Sequence, residues 1–152
     1  MKKLYYAALV YMALGLAGGL YYRDLTKAND FTGQTQLGVV HTHLLVLGMF
    51  FFLIMILFER AFALSKSRLF GWFFWIYNAG LVMTVTIMTV HGTLTVLGKT
   101  SGAALAGIAG LGHILLTVAL ILFFVCLRGR LFPKSAEDAA DRPAVADGSA
   151  VA

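Results

Sequence analysis

Four long apolar runs alternate with shorter polar segments along the chain, and each run predicts a helix that crosses a membrane. At about 1.5 Å per residue, about 20 apolar residues cover the ~30 Å hydrocarbon core of a bilayer. Tyrosines border the first run and tryptophans begin the third, and such rings are typical of membrane surfaces. We predict spans at about residues 4–22, 37–59, 70–95 and 102–128.

The ends of the chain differ from the four runs. From Pro133 onwards the sequence is rich in Ala, Asp and Pro, which is typical of disorder. We therefore expect a four-span membrane domain over residues 1–132 and a disordered cytoplasmic tail over residues 133–152. The start, Met1 to Lys3 before an apolar run, resembles a signal peptide. Because that run nearly spans a bilayer and lacks a clear cleavage site, we interpret it as a retained span.

Composition sets the class of protein. The chain has 152 residues, of which 60% are hydrophobic and only 12% are charged. A soluble domain of this size could not bury so much apolar surface, so we predict an all-α integral membrane protein, a bundle of four transmembrane helices with lipid around it. The net charge of +5 does not indicate nucleic acid, because the basic residues flank the apolar runs.

The distribution of Lys and Arg predicts the orientation. With four spans, most basic residues fall on the side that carries both termini, and only Arg23, Lys27 and Lys99 fall on the other. The positive-inside rule then places both termini in the cytoplasm of a bacterium, with the protein in the cytoplasmic (inner) membrane. A single cysteine, Cys126, excludes an internal disulfide framework and a CxxC haem-attachment motif.

All four histidines lie within predicted spans. His41 and His43 form a His-Thr-His stretch near the start of the second span, and His91 and His113 lie in the third and fourth. With this topology all four occupy the outer half or the middle of the membrane. Ionisable side chains are costly in hydrocarbon and usually functional there. We expect these four residues to form cofactor-binding sites, with His41 and His43 as the leading metal ligands.

Helix geometry constrains the His-Thr-His stretch. At about 100° per residue, His41 and His43 point about 200° apart. An undistorted helix therefore cannot direct both rings at one ion, and the second span would serve a separate site on each side. His91 and His113 would be ligands of a second site or hydrogen-bond partners. Small residues just before His113, including Gly110 and Gly112, indicate either close helix packing or room for a flat ring.

The types of side chain in the spans narrow the choice of cofactor. The outer half of the spans contains no Asp, Glu or Cys. Structural zinc prefers thiolates, and calcium and magnesium require oxygen ligands. Imidazole ligands suit copper or haem iron, and haem adds a large apolar surface that a membrane interior can bury. We therefore expect haem b, with copper as the alternative.

The His41-Thr42-His43 stretch resembles the His-x-His helix of haem-copper oxidases and nitric oxide reductases. In that family one histidine ligates a low-spin haem and the other a high-spin haem, on the second helix of one of three four-helix arcs. His91 loosely matches a copper ligand of the family, and His113 matches none. The resemblance implies a homotrimer, favoured over a dimer, in which His41 of one subunit and His43 of the next bind opposite faces of one haem. The run GQTQLGVVHTHLLVLGMFFFL also resembles an uncharacterised family of short four-helix bacterial membrane proteins.

We therefore expect a haem b protein that serves electron transfer, haem handling or sensing of a diatomic gas. Whether it is an enzyme stays open. The alternative functions are a small transporter or proton channel with a histidine relay, an all-histidine copper site, and a purely structural membrane subunit.

Overall fold

The computed structural model describes residues 1–100 and 102–132, with the backbone alone for residues 103–106 and 109. Within these ranges the chain is helical, which confirms the predicted fold class at the level of four long apolar helices. All four are long and apolar enough to cross a membrane. The predicted disordered tail, residues 133–152, lies outside the described residues. The helices are α1 Lys2–Ala28, α2 Leu37–Phe62, α3 Arg68–Val96 and α4 Ala103–Leu131.

Helix α1 continues past the predicted span end at residue 22 to Ala28. An apolar window detects the part of a helix that suits lipid, and the polar residues that follow Tyr22 are compatible with further helical turns. The Thr26 hydroxyl donates to the Tyr22 carbonyl at 2.8 Å within this extension. The helix ends at Asn29, and Asp30 adopts a left-handed conformation with φ 47°. The polar segment before α2 is consequently shorter than predicted.

Short, hydrogen-bonded turns make α2 and α3 antiparallel neighbours. Ala63 ends α2 in a left-handed conformation, with φ 49° and ψ 51°. The Glu59 carboxylate then accepts hydrogen bonds from the backbone N–H and the hydroxyl of Ser65. Ser67 caps α3 by accepting the N–H of Leu69 at 3.3 Å. These local bonds satisfy backbone groups at the two helix ends, which would otherwise lack partners.

Helix α3 ends in a glycine-dependent turn. Gly98 has a φ of +67°, a conformation that L-residues with a Cβ rarely adopt. Its N–H donates to Thr95, and the N–H of Lys99 donates to Leu94 at 2.9 Å. This is a Schellman motif, in which a left-handed residue closes the last turn.

Glycines bring neighbouring helices close together. A Cβ on Gly80 of α3 would lie 3.0 Å from the Leu116 backbone nitrogen of α4, and a Cβ on Gly15 of α1 would lie 2.7 Å from the Leu45 side chain of α2. Because helices in lipid associate by close packing rather than by burial from water, such contacts hold a bundle of this kind together. Each helix packs on the helix before it in the chain, and the directions alternate up and down.

Helix α2 is not a continuous α-helix. It is α-helical over Leu37–His43, a π-helix over Leu44–Phe50, and α-helical again over Phe51–Phe62. The π segment begins directly after His43. Aromatic rings from three helices pack against the second α-helical part, and Phe51 stacks on Tyr77 with ring centroids 4.4 Å apart. The bundle therefore has an aromatic half below the π segment and a histidine half above it.

Candidate functional site

The first turn of α2 is tied to the last turns of α3. The Thr35 hydroxyl donates to the Gly92 carbonyl at 2.8 Å and accepts the N–H of Leu37 at 3.3 Å. A Cβ on Gly92 would lie 2.5 Å from the Leu37 nitrogen, so the two helices touch at this point. The His-Thr-His stretch begins one turn further along α2, and its distance from α3 is set by this contact.

His41 faces helix α1. A Cβ placed on Gly19 of α1 would lie 3.7 Å from the Cβ of His41, and the absence of a side chain at Gly19 leaves room for the imidazole. The residue is half-buried. Its Nδ1 is buried and has no hydrogen-bond partner among the residues that the structure describes. A buried polar atom without a partner costs free energy, so a group from outside this part of the chain would stabilise it.

His43 has a defined ring orientation. Its Nδ1 lies 2.8 Å from the Val39 carbonyl, one turn earlier in the same helix. A carbonyl can only accept a hydrogen bond, so chemistry assigns the proton to Nδ1 and leaves the lone pair of the neutral ring on Nε2. Histidines that bind metals are typically held in this way, with one ring N–H donated to a carbonyl. Thr42 also donates to the Val39 carbonyl, at 2.7 Å.

His91 and His113 occupy different environments. His91 is half-buried on α3, and its Nδ1 is buried without a hydrogen-bond partner in the described part of the chain. Thr84, two turns earlier on the same face of α3, is 1% exposed, and its hydroxyl also has no partner there. His113 is exposed on α4. It follows Gly112, which packs directly against the Thr84 hydroxyl.

The four histidines do not converge on one ion within a chain. Among the described residues, no group of three or more His, Cys, Asp or Glu side chains is arranged to hold a metal ion. Haem iron requires fewer protein ligands than a free metal ion, because the porphyrin supplies four ligands and the protein supplies one or two. A single histidine could therefore serve as a haem ligand, whereas the described residues of one chain do not form a three-ligand metal site.

The two apolar grooves beside α1 lie away from the histidines. Two cavities of about 430 and 540 Å³ follow the line between α1 and α3, and Tyr11, Leu14 and Val82 line both. No histidine lines either of them. His41 lies on the other side of the contact between α1 and α2. A planar cofactor bound to the His-Thr-His stretch would accordingly lie on the flank of α2.

Two buried tyrosines form interhelical hydrogen bonds that apolar periodicity does not reveal. Tyr11 of α1 donates to the side-chain oxygen of Asn78 of α3 at 2.8 Å. Tyr77 of α3 donates to the backbone carbonyl of Leu47, inside the π segment of α2, at 2.9 Å. The Leu47 acceptor is a backbone atom and leaves no signal in the sequence.

Comparison with known proteins identifies a family without an assigned activity. No curated protein and no solved structure matches the chain. The resemblance of the His-Thr-His stretch to haem-copper oxidases therefore stays a prediction that depends on one helix. One family, described as "Protein of unknown function (DUF2871)", matches residues 1–130. Since this match covers most of the chain, the protein belongs to the DUF2871 family.

Proposed function

We propose that this protein spans the bacterial cytoplasmic membrane, binds haem b between the subunits of a homo-oligomer and transfers electrons. The four apolar helices support the membrane location, and the excess of basic residues beside both termini supports a cytoplasmic position for both ends. A homotrimer is the assembly that we favour. The proposal assigns the leading ligand roles to His43 and His41.

The observation that carries the proposal is the ring orientation of His43. Its Nδ1–H is donated to the Val39 carbonyl at 2.8 Å, which keeps the Nε2 lone pair available and directs it away from the backbone of α2. The ring is half-buried, so a cofactor can reach it from the flank of the helix. Val40 and Leu44, which flank His43 along α2, are buried and pack towards Gly18 of α1.

The divergence of the two rings supports a site between subunits. His41 faces α1, and His43 points about 200° away from it around the α2 axis. A haem held by His43 would therefore take its other protein ligand from another chain, and the proposal assigns that role to His41 of a second copy. The buried Nδ1 of His41 has no hydrogen-bond partner within the described part of the chain, which is consistent with a partner that a neighbouring subunit supplies.

Haem ligation by both His43 and His41 would favour electron transfer over gas binding, because no coordination position would be left for a gas. Haem bound in this way supplies reversible one-electron chemistry. The chain's own contribution is to orient the imidazoles and to exclude water. A single axial histidine would instead leave one face open, and gas sensing or haem handling would then be favoured.

The test is the haem content of the protein purified in detergent from haem-replete cells. We expect b-type absorption, a pyridine haemochrome spectrum and a low-spin ferric electron paramagnetic resonance signal in the wild type. His43→Ala and His41→Ala should each abolish that low-spin signal. Thr42→Val is the matched control, since it changes the residue between them and keeps both rings, and it should retain the signal.

A colourless wild-type protein would overturn the proposal. Full haem retention in a His41→Ala, His43→Ala double variant would overturn the ligand assignment. In that case His91→Ala and His113→Ala identify which other histidine binds the iron. Mass determination of the purified complex decides between a trimer and a dimer.

A proton relay is the second candidate, and one specific observation favours it. The buried Nδ1 of His91 and the hydroxyl of Thr84 lie on one face of α3 and have no hydrogen-bond partner among the described residues. Water at these atoms would join them into a chain, and imidazole exchanges protons near neutral pH. Proton flux into proteoliposomes that His91→Ala abolishes, from protein without haem, would favour this function over electron transfer.

A further inference from the structure

The π segment of α2 determines the direction of the histidine pair. A π-helix closes i→i+5 hydrogen bonds and therefore accommodates about one more residue per turn than an α-helix. The segment Leu44–Phe50 lies between His43 and the aromatic half of the bundle. Relative to that half, the His-Thr-His stretch is consequently rotated by about 100°, the angle of one helical residue.

The π segment leaves the Leu47 carbonyl without its ordinary α-helical donor. In an α-helix the N–H of Phe51 would donate to Leu47, but here it is directed to the carbonyls of Val46 and Gly48. The Tyr77 hydroxyl of α3 donates to Leu47 instead, at 2.9 Å. A side chain from a neighbouring helix thus bonds to an acceptor that the π geometry leaves available.

Tyr77 is itself held rigidly. It is 2% exposed, and its ring stacks on Phe51 with an interplanar angle of 12°. On the opposite side of α2, Gly48 of the π segment packs so closely on the Tyr11 ring that a Cβ would overlap it. The segment is therefore held between α1 and α3, and the contact from α3 is a hydrogen bond to its backbone.

We propose that Tyr77 is a positioning residue for His41 and His43. Its hydroxyl stabilises the π segment, and the π segment sets the directions in which the two imidazoles point. Without the hydroxyl, the Leu47 carbonyl regains its α-helical donor and the histidine half of α2 turns relative to α1. The consequence for haem depends on the function proposed above, whereas the rotation of the helix does not.

A disulfide measures the rotation without any cofactor. Val40 Cγ1 lies 3.6 Å from the position of a Cβ on Gly18, so cysteines at these two positions face each other. The background is Cys126→Ser, which removes the native thiol. In Gly18→Cys, Val40→Cys protein we expect Tyr77→Phe to lower the cross-linking equilibrium about fivefold, the factor that a typical hydrogen bond contributes.

Tyr11→Phe is the matched control. It removes the same atom from an equally buried tyrosine, but the lost bond goes to the Asn78 side chain and the ring remains against Gly48. Cross-linking in Tyr11→Phe should equal that of the parent. Equal cross-linking in Tyr77→Phe and the parent would overturn the proposal, and so would an equal loss in both variants.

Deleting one residue from the π segment should remove the dependence of cross-linking on the Tyr77 hydroxyl. Val46 is 55% exposed within the π segment, and removing it eliminates the extra residue while both flanking α-helical parts keep their faces. In this deletion variant, Tyr77→Phe should have no further effect on cross-linking. A further loss of similar size would show that the hydroxyl acts elsewhere, which contradicts the proposal.

The haem readout separates the two proposals. In haem-loaded protein without the added cysteines, Tyr77→Phe should shift the low-spin resonance signal or lower haem content, whereas Tyr11→Phe should do neither. Loss of cross-linking in Tyr77→Phe with an unchanged haem signal would show that the rotation does not reach the ligands, and would overturn the positioning role. If the wild type is colourless, the haem proposal fails, and the disulfide comparison still decides whether Tyr77 holds the π segment.

Discussion

The two halves of the bundle satisfy their side chains in different ways. In the aromatic half, Phe52 and Phe73 are fully buried, and rings from α1, α2, α3 and α4 contact one another. In the histidine half, the Nδ1 atoms of His41 and His91 are buried without partners in the described part of the chain. Apolar rings complete their contacts within one chain, but these imidazole nitrogens do not.

This difference indicates a division of labour. The aromatic half provides a rigid base, since packed rings in a close-packed interior have little freedom to move. The histidine half presents polar atoms that a cofactor, water or second subunit can satisfy. In the positioning role proposed for Tyr77, the π segment connects the rigid aromatic half to the histidine half and sets the direction of His41 and His43. Substitutions in the base should therefore affect stability most, and substitutions near the histidines should affect it least.

The largest effect is expected for Phe52→Ala. Phe52 stacks on Tyr11 with ring centroids 5.8 Å apart and also contacts Tyr77, so truncation leaves a cavity at the centre of the aromatic half. We expect a loss of about 3 kcal/mol in the free energy of unfolding. Unfolding by SDS titration in mixed micelles, followed by circular dichroism, measures it. Phe50→Ala is the control, because Phe50 is 55% exposed, and a similar loss there would contradict the comparison.

An intermediate effect is expected for Gly48→Ala, at the junction of the halves. The added Cβ would overlap the Tyr11 ring, which forces α1 and α2 apart at a cost of about 2 kcal/mol. Gly110→Ala on α4 is the matched control, because no atom of another helix among the described residues lies within 4 Å of its Cβ position. Better helix propensity should make that variant neutral or more stable by about 0.5 kcal/mol. The same titration applies, and equal results for the two glycines would refute the close approach.

The smallest effect is expected for Thr35→Val, in the histidine half. The substitution removes the hydroxyl that links the Gly92 carbonyl to the start of α2 and should cost about 1 kcal/mol. Thr117→Val is the comparison, since among the described residues the Thr117 hydroxyl bonds within its own helix, to the His113 carbonyl. Amide hydrogen exchange of the first turn of α2 should increase in Thr35→Val alone. A loss of stability as large as that of Phe52→Ala would show that the histidine half contributes to the stability of the bundle as much as the aromatic half does.

Much of the fold follows from local pattern. The four apolar runs predict four helices because lipid admits only segments whose backbone groups are hydrogen-bonded internally. The extension of α1 to Ala28 escapes this argument, because polar residues continue a helix without any apolar signal. The four histidines are recognisable as candidates from their apolar surroundings. Their partners are not, since the Val39 carbonyl that orients His43 belongs to the backbone.

Sequence alone was sufficient for the number of apolar helices, their alternating directions and the 200° divergence of His41 and His43, because these depend on local hydropathy and helical periodicity. Only the tertiary structure decided that His41 faces Gly19 of α1, that α2 contains a π segment and that Tyr77 bonds to Leu47. Those features arise when helices pack, since a backbone acceptor and a close approach between helices depend on residues far apart in the chain. The proposed positioning of the histidine pair thus depends on a hydrogen bond between two residues that lie thirty positions apart in sequence.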